Sequence, residues 1–326
     1  MLNVSIRQLR VFAAVARNLS FARAAEELHL SPPAVSMQVR ELEGALGMPL
    51  FDRGGKRISL TTGGEYFLLH ARRVLGSLKD AEDTIARLKG VRAGKITIGM
   101  VSTAKFFLPR LLSGFLRDHP GVDFALAESN RDGLIDLLHR NEVDLAVMGT
   151  PPKDLDTHSE PFAAHPLGIV AAPEHPYATL SEVPPALLAR ERFLVREPGS
   201  GTRASMERYF ESQRIQPAQA IQMRSNETIK QAAVANLGLA FISLHTTALE
   251  VASGLLRILE VPGLPLVRRW QLVRLNAKLL SPAAEALRYY VLEEGEALLA
   301  RLFPQLVVAA PERAGATARP SPARRT

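Results

Sequence analysis

Three short runs carry hydroxyl, amide and cationic side chains at a spacing that suits anion binding. They are Ser102-Thr103-Ala104-Lys105, Glu197-Pro198-Gly199-Ser200-Gly201-Thr202-Arg203 and Ser225-Asn226-Glu227-Thr228-Ile229-Lys230. Each follows an extended apolar run and opens a helical one. Each therefore presents free N–H groups at a helix N-terminus, with a Lys or Arg within one turn, and converging N-termini attract anions. Any one run alone is explained by ordinary capping, because Ser, Thr and Asn are common caps. The repetition, with a cation each time, points to an anionic ligand. The candidate contacts are Ser102, Thr103, Lys105, Ser200, Gly201, Thr202, Arg203, Asn226 and Thr228. His245 follows a strand end; lining the same cleft, capping and burial are all open to it. The Gly-x-Gly here is too short and wrongly spaced for a dinucleotide fingerprint or a Walker loop.

Catalytic patterns are harder to find. His165, His175, His245 and several carboxylates share the same half of the chain, but no spacing makes a nucleophile–base pair and His-x-x-x-His is absent. There is no cysteine, hence no disulfide framework, thiolate or cysteine metal site. No cofactor is expected. Steady turnover of a phosphorylated metabolite by the pure protein would favour an enzyme instead. A transport-type sugar- or amino-acid-binding module is the third reading. No secretory signal is read at the N-terminus, where Arg7, Arg10 and Arg17 interrupt the apolar pattern, and that argues against transport.

A second constellation lies between Leu19 and Leu46. Ser20 can cap a short helix containing the small Ala24 and Ala25, which ends near Leu28. Ser31 caps the next, with Pro32 at a first position where a missing N–H costs nothing. Two helices joined by so short a turn form a helix-turn-helix, whose second helix can enter the DNA major groove. Val35, Val39, Leu42 and Leu46 make one stripe of that helix; Pro33, Ser36, Met37 and Arg40 make the opposite face. Short side chains followed by a cation suit base edges and a phosphate. Leu50–Arg53 and Ile58–Thr61 flank Gly54-Gly55 and read as a β-hairpin wing carrying Arg53, Lys56 and Arg57. A solvated charged turn is the plainer reading of that segment.

The intervening elements set these groups in place. From Thr62 to about Lys89 the residues Phe67, Ala71, Val74, Leu78, Ala81, Ile85 and Leu88 are spaced 4, 3, 4, 3, 4, 3. That heptad seam predicts a two-helix coiled coil, or else one long amphipathic helix packed on its own domain. From Gly94 the period changes to βαβαβ: strands at Lys95–Val101, Val122–Glu128 and Leu145–Met148, helices at Phe107–Asp118 and Arg131–Asn141. A second set uses Leu167–Ala171, Phe193–Val195, a helix from Thr202, Ile221–Arg224, a helix from Glu227 and Leu239–Ile242. Trp270–Leu275 and Pro282–Leu302 return to the first set, with chain crossings near Pro161 and Val267. Two linked α/β lobes enclose a cleft, and ligands in such folds bind beyond the carboxyl ends of the strands.

Charge follows the same division. The net +7 splits into +4 over residues 1–90, zero over 91–308 and +3 over 309–326. The excess sits where a phosphate-binding surface is needed. No uncharged run is long enough for a membrane span, and a cytoplasmic location is expected.

Residues 5 to 71 resemble the winged helix-turn-helix of LysR-type transcriptional regulators. The resemblance is carried by Leu9, Phe12, Ala24, Ala25, Leu28, Ser31-x-Pro33-Ala34-Val35-Ser36, Leu42-Glu43, Leu46-Gly47, Leu50-Phe51-x-Arg53 and Leu60-Thr61-x-Gly63-Gly64. Pro32 stands where the family usually has Gln, and Met37 where it often has a polar or basic residue; both lie at the expected DNA face. Beyond this domain, Val101–Lys105, Gly149-Thr150-Pro151-Pro152, Arg196–Arg203 and Arg224–Gln231 look like the subfamily that regulates RuBisCO (Calvin–Benson cycle) operons. Thr150 stands where those proteins usually have Arg, and the resemblance adds it to the effector contacts. It also implies a linker-helix homodimer or homotetramer, contact with RNA polymerase, activation of carbon-fixation genes, and a phosphorylated metabolite or NADPH as effector. The expected fold is α/β: a winged helix-turn-helix on double-stranded DNA (1–61), a linker helix (62–90), a two-lobed effector domain like periplasmic binding proteins (91–308), and a disordered basic tail (309–326).

Overall fold

The computed structural model describes residues 4–52, 58–88 and 94–306. Ser5 opens α1 (Ile6–Asn18) with a reciprocal capping box to Gln8. Ser20 and Ser31 cap α2 (Phe21–Glu27) and α3 (Pro32–Leu46) by accepting from the N–H groups of Arg23 and Ala34. Gly47, at φ +69°, ends α3 in the left-handed conformation. A two-stranded hairpin follows, β1 (Phe51–Asp52) pairing with β2 (Ser59–Leu60). Glu43 ties it to α3: its carboxylate accepts from the N–H groups of Leu50 (2.9 Å) and Phe51 (3.2 Å). The tip of the wing, with Arg53, Lys56 and Arg57, lies outside the described residues, as does the tail 309–326.

The long helix α4 (Thr62–Leu88) starts against this domain. A Cβ on Gly64 would lie 2.1 Å from the carbonyl oxygen of Leu50, so only glycine allows this approach. Leu68 and Ala71 are buried with Phe12, and the rings of Phe12 and Phe67 stand 5.4 Å apart. The first two positions of the heptad seam therefore serve the domain's own core. Further along, Val74 (47% exposed) and Ile85 (52% exposed) stay uncovered in the single chain.

The rest of the chain is one mixed sheet with helices on its faces. In order come β3 (Gly94–Val101), α5 (Leu108–Asp118), β4 (Val122–Ser129), α6 (Arg131–His139), β5 (Leu145–Met148), β6 (Thr157–Ala171), α7 (Pro185–Leu188), β7 (Arg192–Arg196), α8 (Gly201–Gln213), β8 (Gln219–Met223), α9 (Asn226–Val234), β9 (Leu239–Ser243), α10 (Ala248–Ala252), β10 (Arg257–Ile258), β11 (Leu266–Leu275) and α11 (Pro282–Leu302). The strand order is β4-β3-β5-β11-β6-β9-β7-β8. The first lobe is the parallel set β4-β3-β5 and the second is β9-β7-β8. The long antiparallel pair β6–β11 belongs to both.

This pair departs from the sequence expectation. The sequence pattern begins β6 at Leu167 and β11 at Trp270, with chain crossings near Pro161 and Val267, whereas β6 starts at Thr157 and β11 at Leu266 although Pro161 and Pro166 are unfavourable in a ladder. The structure accommodates both. β6 pairs with β9 only over Leu167–Val170, so its earlier half has a strand neighbour on one side alone. Pro161 sits opposite Gln271 at a register shift between Trp270 and Gln271, a bulge of the kind that tolerates proline. α11 returns to the first lobe, where Trp270, Phe107 and Phe162 are fully buried in the core. A Cβ on Gly295 would meet the Phe162 ring at 2.6 Å.

Candidate functional site

On α3 the two faces separate as their spacing requires. Val35, Val39 and Leu42 are buried, whereas Pro32, Pro33, Met37 and Arg40 are exposed and Ser36 is half-buried. Met37, 53% exposed, is a large apolar side chain three residues before the exposed Arg40 on the same helix. Such a face can offer apolar contact to thymine methyls and a guanidinium to guanine or phosphate.

The second site lies where the lobes meet. A cavity of about 20 Å³ is lined by Ser102 and Thr103 after β3, Asn130 and Arg131 at the start of α6, Gly149 and Thr150 after β5, Arg196 at the end of β7, Ser200-Gly201-Thr202 at the start of α8, and Arg268 on β11. It has room for little more than a water, so a ligand enters as side chains move or the lobes part. It opens on a vestibule of about 690 Å³ that shares Arg131, Thr150, Ser200 and Gly201. The Ser200 side chain does not cap α8, which leaves the first N–H groups of that helix for a ligand. Asn130 does cap its own helix, accepting from Gly133 at 3.0 Å.

Three guanidinium groups line the cavity, and they are held differently. Arg196 is chelated by Glu197 (2.8 and 2.9 Å) and donates to Asn226 (2.7 Å) and Ser102 (3.1 Å). Burial pushes the Glu197 carboxyl up, but bonds from Arg196, a backbone N–H and Asn130 outweigh it and hold the group below the usual carboxylate range. Arg131 is fixed by the carbonyls of Thr150 (3.1 Å) and Pro151 (3.3 Å) and pairs with Asp132 (3.1 Å). Arg268 differs from both. Its Nη1 donates to Thr150 Oγ1 (3.2 Å), Gly201 O (3.0 Å) and Ser205 Oγ (2.9 Å), and Nη2 stands 3.4 Å from His165 Nδ1. Among the described residues it meets no carboxylate, and its Nε is sealed from water without a partner. Burial, then repulsion from Arg208, lowers its pKa to about 10, so it remains charged. Gly149 makes room for this group: a Cβ there would lie 2.8 Å from His165 Nδ1 and 2.9 Å from Arg268 Nη2.

Behind Arg268 the rings of His165 and Trp270 stack at 3.8 Å, and Trp270 Nε1 donates to His245 Nδ1 at 3.2 Å. His245 is thus a buried neighbour of the indole and does not line the cavity; burial lowers its pKa to about 4.

The structure brings Ser102, Thr103, Ser200, Gly201 and Thr202 of the three runs together, and with them Thr150, which the resemblance added. Asn226 stands just behind them, bonded to Arg196 and Ser102. Lys105 and Arg203 lie elsewhere. Lys105 sits in a 3-10 turn that aims it outward to Glu128 (3.3 Å). Arg203 packs along α8 onto Glu207 (2.7 Å) and reaches Gln222 and the Arg196 carbonyl. It touches the vestibule rather than the cavity. Thr228 is exposed on α9. Sequence reasoning missed Asn130, Arg131, Arg196 and Arg268. The first two also open a helix after a strand, a signal that was there to be used. Arg268 gives none: it lies mid-strand, and only the register that sets it against His165 aims it inward.

The chain matches "Bacterial regulatory helix-turn-helix protein, lysR family" over residues 6–65 and "LysR substrate binding domain" over residues 89–296. It is 48% identical over 304 residues to the HTH-type transcriptional regulator CfxR of Cupriavidus necator, covering 93% of this chain and 96% of that protein. It is 45% identical over 301 residues to the RuBisCO operon transcriptional regulator of Allochromatium vinosum, covering 92% and 100%. Among solved structures, the regulatory domain of CcmR from Synechocystis PCC6803 in complex with 2-PG superposes with a TM-score of 0.59 at 33% identity, over 61% of this chain and 96% of that domain.

Proposed function

The chain belongs to the LysR family of bacterial DNA-binding transcriptional regulators, and on that premise we propose that it controls carbon-fixation genes of the RuBisCO-operon type in response to a small anionic metabolite held between its lobes. The observation that carries the effector reading is Arg268, a guanidinium enclosed at the lobe junction with only neutral partners and one sealed N–H. An enclosed charge without a counter-charge is costly, and an incoming anion supplies what is missing. Arg196, Arg131 and the uncapped start of α8 add donors around the same cavity. The CcmR domain in complex with 2-PG supports a ligand of this kind.

In this reading α3 places Pro32, Pro33, Ser36, Met37 and Arg40 in the major groove, and the wing's Arg53, Lys56 and Arg57 meet phosphates. α4 joins two subunits through its uncovered face, which lets two recognition helices read a two-fold operator. The protein acts in the cytoplasm, and activation brings RNA polymerase to the promoter. Footprinting on the neighbouring promoter, with and without phosphorylated cycle intermediates and NADPH, tests the whole. Calorimetry should show Arg268→Ala weakening effector binding by at least about tenfold, the loss expected when one partner of a desolvated ion pair is removed, with effector-free operator binding intact. Equal affinity in wild type and variant would sink the anion reading.

A further inference from the structure

Resting on the effector reading of the cleft, we propose that Arg208 reads a second anionic group, so that the preferred effector carries two acidic groups on a short spacer. Arg208 lies on α8, two helical turns past its start, and lines the vestibule that opens from the inner cavity. Its Nη2 donates to Ser205 Oγ at 3.3 Å, the same oxygen that accepts from Arg268 Nη1 at 2.9 Å. One hydroxyl thus bridges two guanidinium groups, one facing the inner cavity and one the vestibule. The two charges repel, and this adds to burial in holding Arg268 below its ordinary value.

The other vestibule cations are engaged: Arg131 with Asp132, and Arg203 with Glu207. Lys153 and Asp154 are adjacent and opposite in charge, and Glu211 is the remaining carboxylate. Arg208 makes no ion pair with any of them among the described residues. Two like charges held within reach of one hydroxyl, each without a carboxylate, fit a ligand with an acidic group at each end. The inner group meets Arg268 and the start of α8, and the outer group meets Arg208. A ligand with one acidic group fills only the inner position.

Calorimetry on the full chain separates these roles with two probes, 2-phosphoglycolate (phosphate and carboxylate) and glycerol 3-phosphate (phosphate alone). Arg208→Ala should lower affinity for 2-phosphoglycolate by about tenfold, the scale of one charge-assisted hydrogen bond, and leave glycerol 3-phosphate within about twofold. Arg208→Lys should restore part of the preference. Arg268→Ala should weaken both probes. If Arg268→Ala weakens both while Arg208→Ala changes neither, or changes both equally, Arg208 does not read a second group and the proposal falls. If Arg268→Ala changes neither probe, the cleft reading itself fails.

Discussion

His165 and His245 are neutral inside the fold, and that neutrality has a pH signature. Burial lowers both, with Arg268 and then His245 adding repulsion at His165; His245 falls from 6.5 to about 4. Unfolded, each titrates near 6.5, so the unfolded chain takes up protons that the folded chain refuses. Their stabilising contribution is therefore complete above about pH 6.5 and is lost as pH falls from there towards 4. For His245 the loss is on the order of 3 kcal/mol, the free energy that matches the fall from 6.5 to about 4 caused by burial; protonating Nδ1 also removes the bond from Trp270. Melting temperatures at pH 7.5, 5.5 and 4.5 should fall, and His245→Gln, which still accepts from the indole, should flatten the fall. Identical pH profiles for the two proteins would refute it. Partnering also decides which cations matter for the effector. Arg203 and Lys105 fit the pattern of a cation opening a helix, but Glu207 and Glu128 satisfy them outside the cavity. Arg203→Ala and Lys105→Ala should each change effector affinity by less than about threefold, consistent with exposed pairs worth under ~1 kcal/mol. A tenfold loss in either would return these residues to the site. Sequence spacing finds a helix start reliably; it does not say on which side of the sheet the side chain ends.

At the level of elements, the readable parts were those whose pattern is local. Serine caps, the stripe Val35-Val39-Leu42 and the alternating or continuous apolar strands each state their own conformation, and the structure has them in place. β6 was half hidden, since two prolines mask a strand that only its neighbour β11 and a bulge make possible. The linker shows the same limit from the other side. Its seam is one continuous pattern, yet Phe67 and Ala71 pack on Phe12 and its neighbours while Val74 and Ile85 are uncovered. A heptad cannot reveal which of its positions are spent within the chain. Leu78, half-buried between Val74 and Ile85, is where a charge would do most to a helix pair. Leu78→Asp should dissociate the dimer, since an unpaired buried carboxylate costs several kcal/mol. Operator binding should fall with it. Sedimentation of the variant as an unchanged oligomer would remove α4 as the joint.

For the whole molecule, the two lobes are joined in the sheet by β6 and β11, so their relative motion is bending of one antiparallel pair. Contacts across the cleft then decide how far the lobes sit apart. Asn226, fully buried at the start of α9 in the second lobe, donates to Ser102 of the first (3.0 Å) and accepts from Arg196 (2.7 Å). Asn226→Ala removes both bonds while every side chain that lines the cavity stays in place. The closed arrangement should lose about 1–2 kcal/mol, which lowers effector affinity roughly five- to thirtyfold through a smaller competent population. Effector-free operator binding should not change, because α3 and the wing belong to a separate core. Linkage adds a stricter condition. Whatever factor the effector applies to operator affinity, operator DNA must apply to effector affinity. Calorimetry with and without operator, set beside operator titrations with and without effector, should give equal ratios in the wild type. If lobe closure carries the signal, both ratios should move towards one together in Asn226→Ala. A variant that binds effector more weakly yet keeps the full ratio would show that the signal leaves the cleft by a route other than closure.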